Sequence, residues 1–139
     1  MTNRDLAKSY IWKAETRLDA LEALRKRQNY SDVVREAQET VELALKGMLR
    51  AIGVEPPKYH DVGGLLLEHG DRFKTTITKH LERAAVISKR LRKERELAFY
   101  GDIDFVPTEE YTTEDADRAY ADAAWVATLA RRVIGGLSR

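Results

Sequence analysis

The sequence predicts an all-α fold, an antiparallel up-and-down bundle of four long helices plus one short helix. Apolar residues recur every three or four positions almost throughout the chain, which is the spacing of one face of a helix. Only three prolines occur, and charged residues make up 34% of the sequence, as in helices with solvated faces. No strand pattern stands out. A length of 139 residues suits one domain, which we assign to residues 1–139.

The first long helix is predicted over residues 5–26. Its apolar residues step by four, three, four and three positions and form one stripe. They are Ala7, Ile11, Ala14, Leu18 and Leu21. Asn3 precedes this stripe and is the predicted N-cap.

The second long helix follows a short polar turn, and Ser31 is its predicted N-cap. Its apolar stripe extends from Val34 to Ile52. Gly53 is expected to end the helix, and the prolines at 56 and 57 prevent a restart.

A short helix and a third long helix complete the middle of the chain. Asp61 is the predicted cap of the short helix, and Gly70 is its stop. The next helix is predicted to run from Phe73 through Ile77 towards Ala98, where Gly101 breaks it. Short connections between these helices predict antiparallel neighbours.

Residues 101–111 form the longest stretch without periodicity. Phe105 and Val106 suggest a loop packed on the bundle. Thr112 and Asp115 resemble a capping box at the start of the last helix, which ends near residue 135.

Composition excludes several classes of protein. There is no cysteine, so disulfides, a thiol nucleophile and cysteine-ligated metals are excluded. The three histidines are scattered and lack ligand spacing, so we predict no metal site. The sequence contains no glycine-rich phosphate loop, and we predict no cofactor. We expect a cytoplasmic protein, because no apolar run is long enough for a membrane span and no signal peptide is evident. The net charge of +1 means that any nucleic-acid affinity must come from a local patch.

Three stretches carry a resemblance to a known family. The first, on the second helix, contains Tyr30, Val33, Val34, Ala37, Gln38, Val41, Glu42, Ala44, Leu45, Lys46 and Gly53. The second contains His60, Asp61, Val62, Leu65 and Leu66. The third, at the end of the helix before the aperiodic loop, contains Arg95, Glu96, Ala98, Tyr100, Gly101 and Asp102. In this order and spacing the chain resembles the HEPN family over nearly its whole length.

The resemblance implies a helical bundle that is usually a homodimer. It also implies a polar cleft, near the end of the helix that carries Arg95, where nucleotide or RNA is handled. Many members pair with a minimal nucleotidyltransferase. Some members are metal-independent ribonucleases that act as toxins, and these carry an arginine followed, after four to six residues, by a histidine.

This sequence departs from the ribonuclease pattern. Arg95 stands where that arginine would be, but Tyr100 follows it after four residues, and no histidine occurs after His80. Metal-free RNA cleavage needs a base for the 2′-hydroxyl and an acid for the leaving oxygen. A phenol with a pKa of about 10 is a poor base at neutral pH. The sequence therefore favours a binding protein over an enzyme.

Six residues are the candidates for the nucleotide or RNA site, and each has a structural alternative. They are Arg95, Tyr100, Lys46, Glu42, His60 and Arg92. Arg95 suits a phosphate and Tyr100 suits a base, or the two are an ion-pair partner and a helix-end core residue. Glu42 and Lys46 line the site, or form a surface pair at i and i+4. His60 contacts a phosphate or only fixes the entry of the short helix.

A basic run over residues 89–95 leads to this site and supports anion binding, although such runs are usually a solvated helix face. Three hypotheses stay open. The chain is a non-catalytic nucleotide- or RNA-binding protein with a nucleotidyltransferase partner, a ribonuclease toxin of a toxin–antitoxin pair, or a dimeric scaffold. Tyr100 or Tyr111 is also a candidate acceptor for adenylylation by the partner. Trp12 and Trp125 belong to a dimer interface or to the core.

Overall fold

The computed structural model describes residues 2–56, 58 and 61–135, and this part of the chain is an all-α bundle, as the sequence predicts. Four helices are long and three are short. In chain order they are α1 (Asn3–Lys26), α2 (Tyr30–Ala51), α3 (Val62–Glu68), α4 (Thr75–Thr78), α5 (Leu81–Phe99), α6 (Pro107–Glu110) and α7 (Thr113–Gly135). A 3-10 turn at Gly70–Arg72 separates α3 from α4. Among the described residues, no helix has the length and apolar content of a membrane span.

Side-chain pairs between α1 and α2 show that these helices are antiparallel. Arg50 at the end of α2 donates a hydrogen bond of 3.1 Å to Asn3 at the start of α1. Nearer the middle of both helices, Arg17 Nη1 lies 2.8 Å from Glu36 Oε2. An added Cβ at Gly47 of α2 would lie 2.9 Å from Ile11 Cγ1, so the two helices are in close contact there.

The helix α7 is likewise antiparallel to α1. Arg25 near the end of α1 pairs with Asp117 near the start of α7, at 2.5 Å. Glu15 pairs with Arg131 further along both helices. These pairs lie at the rim of the bundle, where they fix the register of helices that the apolar core holds together.

The core is centred on α2, which packs against α1, α5 and α7. Its buried apolar residues are Val33, Val34, Ala37, Val41, Ala44, Leu45, Met48 and Leu49. Each large aliphatic side chain contributes roughly 1.5–3 kcal/mol when fully buried. Because these apolar residues occupy the core side of α2, its polar side chains project from the face that remains.

Helix starts agree only in part with the predicted caps. Asp61 accepts the Gly63 N–H at 3.1 Å and caps α3, as predicted. Thr112 and Asp115 form the predicted capping box of α7. The predicted N-caps Asn3 and Ser31 were wrong. Thr2 caps α1 in a capping box with Asp5, and α2 begins one residue before Ser31, so Ser31 lies inside the helix.

The short helix α3 is pressed against α5. An added Cβ at Gly63 would lie 2.8 Å from Ala85 Cα of α5, so the two backbones approach as closely as a glycine allows. The side chains of Val62 and Leu66 are buried in the common core. Asp61, which precedes α3, is thereby held beside α5.

The predicted single helix from Phe73 to Ala98 is wrong in its first part. Phe73 and Lys74 have extended backbones, and the long helix α5 begins only at Leu81. The Thr78 hydroxyl lies 2.8 Å from the carbonyl oxygen of Gly70, to which it donates, and within 3.3 Å of those of Phe73 and Lys74; such side-chain bonds compete with helix formation. Phe73 and Ile77 are both buried. The apolar spacing therefore predicted correctly that these side chains enter the core, but not that one helix carries them.

The segment 101–111 is folded back on itself. Gly101 has a φ of 74°, and Asp102 and Phe105 form an isolated antiparallel bridge. The ring of Phe105 packs edge-on against Tyr111, with 5.7 Å between centroids, which confirms part of the predicted packing. Val106 does not pack on the bundle as predicted, since it is 44% exposed. Its carbonyl oxygen accepts the first hydrogen bonds of α6.

The two tryptophans differ in environment. Trp12 of α1 is 65% exposed. Trp125 of α7 is partly buried, with the Arg83 guanidinium carbon 4.0 Å from its ring centroid and the edge of His80 against it. A dimer interface through Trp12 remains a prediction.

Candidate functional site

The polar faces of α2 and α5 meet in a cleft of about 510 Å³, here called the α2–α5 cleft. All of the residues that line it are charged or carry an amide. They are Gln38, Glu39, Glu42, Lys46, Lys58, Arg92, Lys93 and Arg95. Four of the six predicted site residues therefore lie together, although those on α5 are 46 or more positions from those on α2 in the sequence.

Helical periodicity explains why these side chains share one opening. On α2, Gln38, Glu42 and Lys46 are spaced by four residues and project from one face. The buried apolar residues of α2 occupy the remaining faces. On α5, Leu91 and Ala98 are buried while the cationic residues between them stay at the surface. Packing of the two apolar faces thus brings the two polar faces side by side.

Opposite charges bridge the cleft. Arg95 Nη2 lies 3.1 Å from Glu39 Oε1, and Arg92 Nε lies 3.8 Å from Glu42 Oε1. Lys46 Nζ is 4.0 Å from Glu42 Oε2. These pairs also show that α5 runs antiparallel to α2. Partly exposed ion pairs of this kind contribute about 0–1 kcal/mol each, so a competing anion can displace them.

Glu42 is the most buried carboxylate of the cleft, with a side chain only 18% exposed. Burial raises its pKa, and the positive charges of Lys46 and Arg92 oppose that rise without cancelling it. The raised pKa means that burial disfavours the charged form of the Glu42 carboxyl more than the neighbouring cations favour it. A change in the protonation of Glu42 therefore changes the charge of the cleft itself.

Gln38 is a wall residue that the sequence reasoning did not select as a site residue. Its side chain is 3% exposed, and within the described part of the chain no donor reaches its Oε1 atom. A buried amide without a partner has a cost that a rearrangement or a ligand donor can relieve. Its position four residues before Glu42 is the sequence signal that would have identified it.

A second depression, of about 360 Å³, adjoins the cleft. It is lined by Asp61, Lys89, Arg92 and Lys93, and it shares the last two residues with the cleft. Arg92 Nη1 lies 3.7 Å from Asp61 Oδ1, so this arginine faces carboxylates on both sides. The two depressions form one continuous surface, here called the basic surface.

The basic surface concentrates positive charge. Of its charged residues, six are cationic and three are anionic. The cations are Lys46, Lys58, Lys89, Arg92, Lys93 and Arg95, and the anions are Glu39, Glu42 and Asp61. Because this surface carries +3 and the whole chain carries +1, the rest of the chain carries −2. Such an asymmetry attracts anions to one place.

Two predicted site residues are not placed in the cleft. Tyr100 follows the last residue of α5, its side chain is 77% exposed, and it does not line the opening beside Arg95. His60 lies outside the described residues. The family motif brought Arg95 and Tyr100 together in the prediction, whereas only Arg95 lines the opening.

Tyr111 lies behind α5 and not in the cleft. Its hydroxyl donates a hydrogen bond of 2.6 Å to Glu94 Oε2, and its side chain is buried. Burial, followed by the bond to Glu94, raises the pKa of this phenol far above its usual value. A buried, engaged hydroxyl of this kind is a poor acceptor for a transferred group.

Comparison with known proteins yields one match. A family model described as the HEPN domain matches residues 7–133, from α1 to α7, and so includes both walls of the cleft. No curated protein and no solved structure matches the chain.

Proposed function

The chain belongs to the HEPN family, and from that premise we propose that it binds the phosphate groups of a nucleotide or of RNA in the α2–α5 cleft. The observation that carries this proposal is the grouping of Lys46, Arg92 and Arg95 around one opening. Two of these residues are arginines, whose planar guanidinium groups match phosphate oxygens in pairs. Lys46 supplies a point charge on the facing helix.

Binding exchanges one set of charge pairs for another. The guanidinium groups of Arg92 and Arg95 face Glu42 and Glu39. An incoming phosphodiester carries the same charge and the same number of non-bridging oxygens as the carboxylate that it replaces, and a terminal phosphate carries more of both. The carboxylates then turn towards solvent, which their partial exposure permits.

We propose that this domain binds without cleaving. Ribonuclease members carry a histidine after their arginine, whereas Tyr100 stands at that position here. A phenol is a much weaker base than an imidazole, so it is poorly suited to remove the 2′-hydroxyl proton at neutral pH. Its exposed position outside the cleft also argues against proton transfer to a ligand held by Arg95. The resemblance further implies a homodimer and a minimal nucleotidyltransferase as partner, and both belong to this proposal.

The binding test is a titration of ATP and of a labelled oligoadenylate at low salt. We expect saturable binding that Arg95→Ala weakens by about tenfold or more, since a hydrogen bond to a charged group contributes roughly 1.5–3 kcal/mol. Arg131→Ala is the matched control, because Arg131 is similarly exposed and paired with a glutamate but lies on the α1–α7 side. Failure of both ligands to bind would overturn the proposal.

The alternative of a ribonuclease toxin has its own test. Total RNA is incubated with the purified protein in EDTA, beside Arg95→Ala and Tyr100→Phe. We expect no cleavage by any of the three. Cleavage by the wild-type protein that both variants lose would instead identify an enzyme in which Tyr100 acts in place of the histidine.

A further inference from the structure

The basic surface extends beyond the space that one phosphate occupies. Lys89, Arg92 and Arg95 follow one another at intervals of three residues along α5. With a rise of about 1.5 Å per residue, their Cα atoms span about 9 Å along the helix axis. Arg92 and Lys93 line both depressions, so two cationic side chains connect one to the other.

A nucleoside monophosphate leaves part of this surface unused. With its one phosphate between Lys46 and Arg95, AMP brings no negative charge to Lys89, which lines only the second depression. The next phosphate of a polynucleotide strand does bring a charge there. The arrangement of the cations thus matches a row of anions better than one isolated anion.

Resting on the proposed function, we propose that the ligand of the basic surface is a single-stranded polynucleotide of which at least two consecutive phosphates are bound. One phosphate lies in the α2–α5 cleft near Arg95 and Lys46. The following phosphate lies over the second depression, near Lys89 and Lys93. Arg92 stands between the two positions and contacts the strand where it passes from one depression to the other.

Asp61 offers a sharp probe of the second position. Its carboxylate lines the second depression beside Arg92, where it repels a phosphate. Asp61→Asn removes this charge, and asparagine is as good an N-cap as aspartate, so α3 keeps its start. The variant should strengthen oligonucleotide binding more than AMP binding, because Arg92 also lines the α2–α5 cleft while only the oligonucleotide reaches the second depression.

The experiment compares AMP with hexaadenylate, as RNA and as DNA, at several salt concentrations. For a single strand, the slope of log K against log salt is about −0.7 for each phosphate neutralised. We expect the hexanucleotides to bind more tightly than AMP, with a slope steeper by at least about 0.7. Lys89→Ala should weaken hexanucleotide binding several-fold and leave AMP unaffected. Lys13→Ala, an exposed lysine of α1, should change neither.

The outcomes separate this inference from the proposed function. Equal affinities and slopes for AMP and the hexanucleotides would overturn the proposal that the ligand is a strand, while the proposal of nucleotide binding would stand. So would a Lys89→Ala variant that binds the hexanucleotides normally, or equally tight binding of an acidic peptide with the same charge. Binding of neither ligand would overturn the proposed function as well. Tighter binding of the RNA hexamer would identify RNA as the source of the strand, and tighter binding of the DNA hexamer would identify DNA.

Discussion

Arg95 on α5 lies across the cleft from Glu39 on α2, with 3.1 Å between Nη2 and Oε1. The contact has two consequences of opposite sign. It adds a small attraction between the helices, and it occupies the guanidinium that a phosphate requires. Because the pair is partly exposed, its contribution to stability is about 0–1 kcal/mol. Its effect on ligand binding should therefore be the larger of the two.

Removal of the Glu39 charge should strengthen phosphate binding. In Glu39→Gln, the ligand no longer competes with a carboxylate for Arg95, so we expect the Kd for the oligoadenylate to fall several-fold. Urea unfolding should shift by less than about 1 kcal/mol. Glu15→Gln is the control, because Glu15 pairs with Arg131 away from the cleft. A Glu39→Gln variant that binds no more tightly than Glu15→Gln would contradict the exchange of charge pairs.

Binding should strengthen as the pH falls, through Glu42. Burial raises the pKa of Glu42, so it becomes neutral at a higher pH than an exposed carboxyl does, and the cleft then gains positive charge. The charges that act on it are Lys46 and Glu39 on its own helix and Arg92 and Arg95 on α5. An oligonucleotide without terminal phosphates is the probe, because its own charge stays constant. The rise in affinity from about pH 8 to about pH 5 should be smaller in Glu42→Gln; an identical rise would assign it to other groups.

Stability should respond to the same group. The folded-state pKa of Glu42 is raised above its unfolded value, so its contribution to stability is present below the unfolded pKa and is lost as the pH rises through the folded pKa. The Glu42→Gln variant should therefore lose less stability than the wild-type protein between about pH 4 and about pH 7. Urea unfolding across this range measures the difference, and parallel curves would argue against the raised pKa.

Loss of the Tyr111 hydroxyl should destabilise the fold without affecting the cleft. Tyr111→Phe removes the 2.6 Å hydrogen bond to Glu94, and a bond to a charged group contributes roughly 1.5–3 kcal/mol. Glu94 is partly exposed and regains water, so the lower end of this range is expected. Tyr120→Phe is the control, since the ring of Tyr120 lies beneath Arg25 and is retained. Weaker oligonucleotide binding in Tyr111→Phe would show that the two regions are coupled.

The contact between α1 and α2 should not tolerate a methyl group at Gly47. In Gly47→Ala the new Cβ would lie 2.9 Å from Ile11 Cγ1 and 3.3 Å from the Ala7 carbonyl oxygen. Overpacking of this kind costs about 1–3 kcal/mol. Gly135→Ala is the matched control, because a Cβ there meets nothing within 4 Å and alanine is the better helix former. Equal unfolding midpoints for the two variants would show that α1 and α2 separate easily.

The sequence predicted the cleft better than it predicted the start of α5. Glu42 and Lys46 share a helix face by spacing alone. The resemblance placed Arg95 near the same opening, and Arg92 belongs to the basic run that ends there. Lys58 and Glu39 were missed, because only the three-dimensional approach of α2 and α5 gives them a common opening. The break before Leu81 was missed because it depends on the Thr78 hydroxyl, whose three carbonyl partners are not evident from apolar periodicity.

Tyr100 and Val106 show a different limit of sequence reasoning. Tyr100 stands just beyond the last residue of α5, and Val106 follows Gly101, whose φ of 74° redirects the chain. Helical spacing ceases to predict side-chain direction at such a point. The position of Tyr100 relative to Arg95 was therefore open in the sequence, although both belong to one family motif.

The close approach of Gly63 to Ala85 determines how the cleft can deform. Because a Cβ added at Gly63 would lie only 2.8 Å from Ala85 Cα, the two backbones are in close contact, and we expect α3 and α5 to move together as one body. Widening of the cleft then requires α2 to separate from this body, and it lengthens the distance from Glu39 to Arg95. The distance from Asp61 to Lys89 stays constant, since both residues belong to the same body. The distance between two spectroscopic labels, one on α2 and one on α5, should increase when the cleft widens. The distance between labels on α3 and α5 should not change.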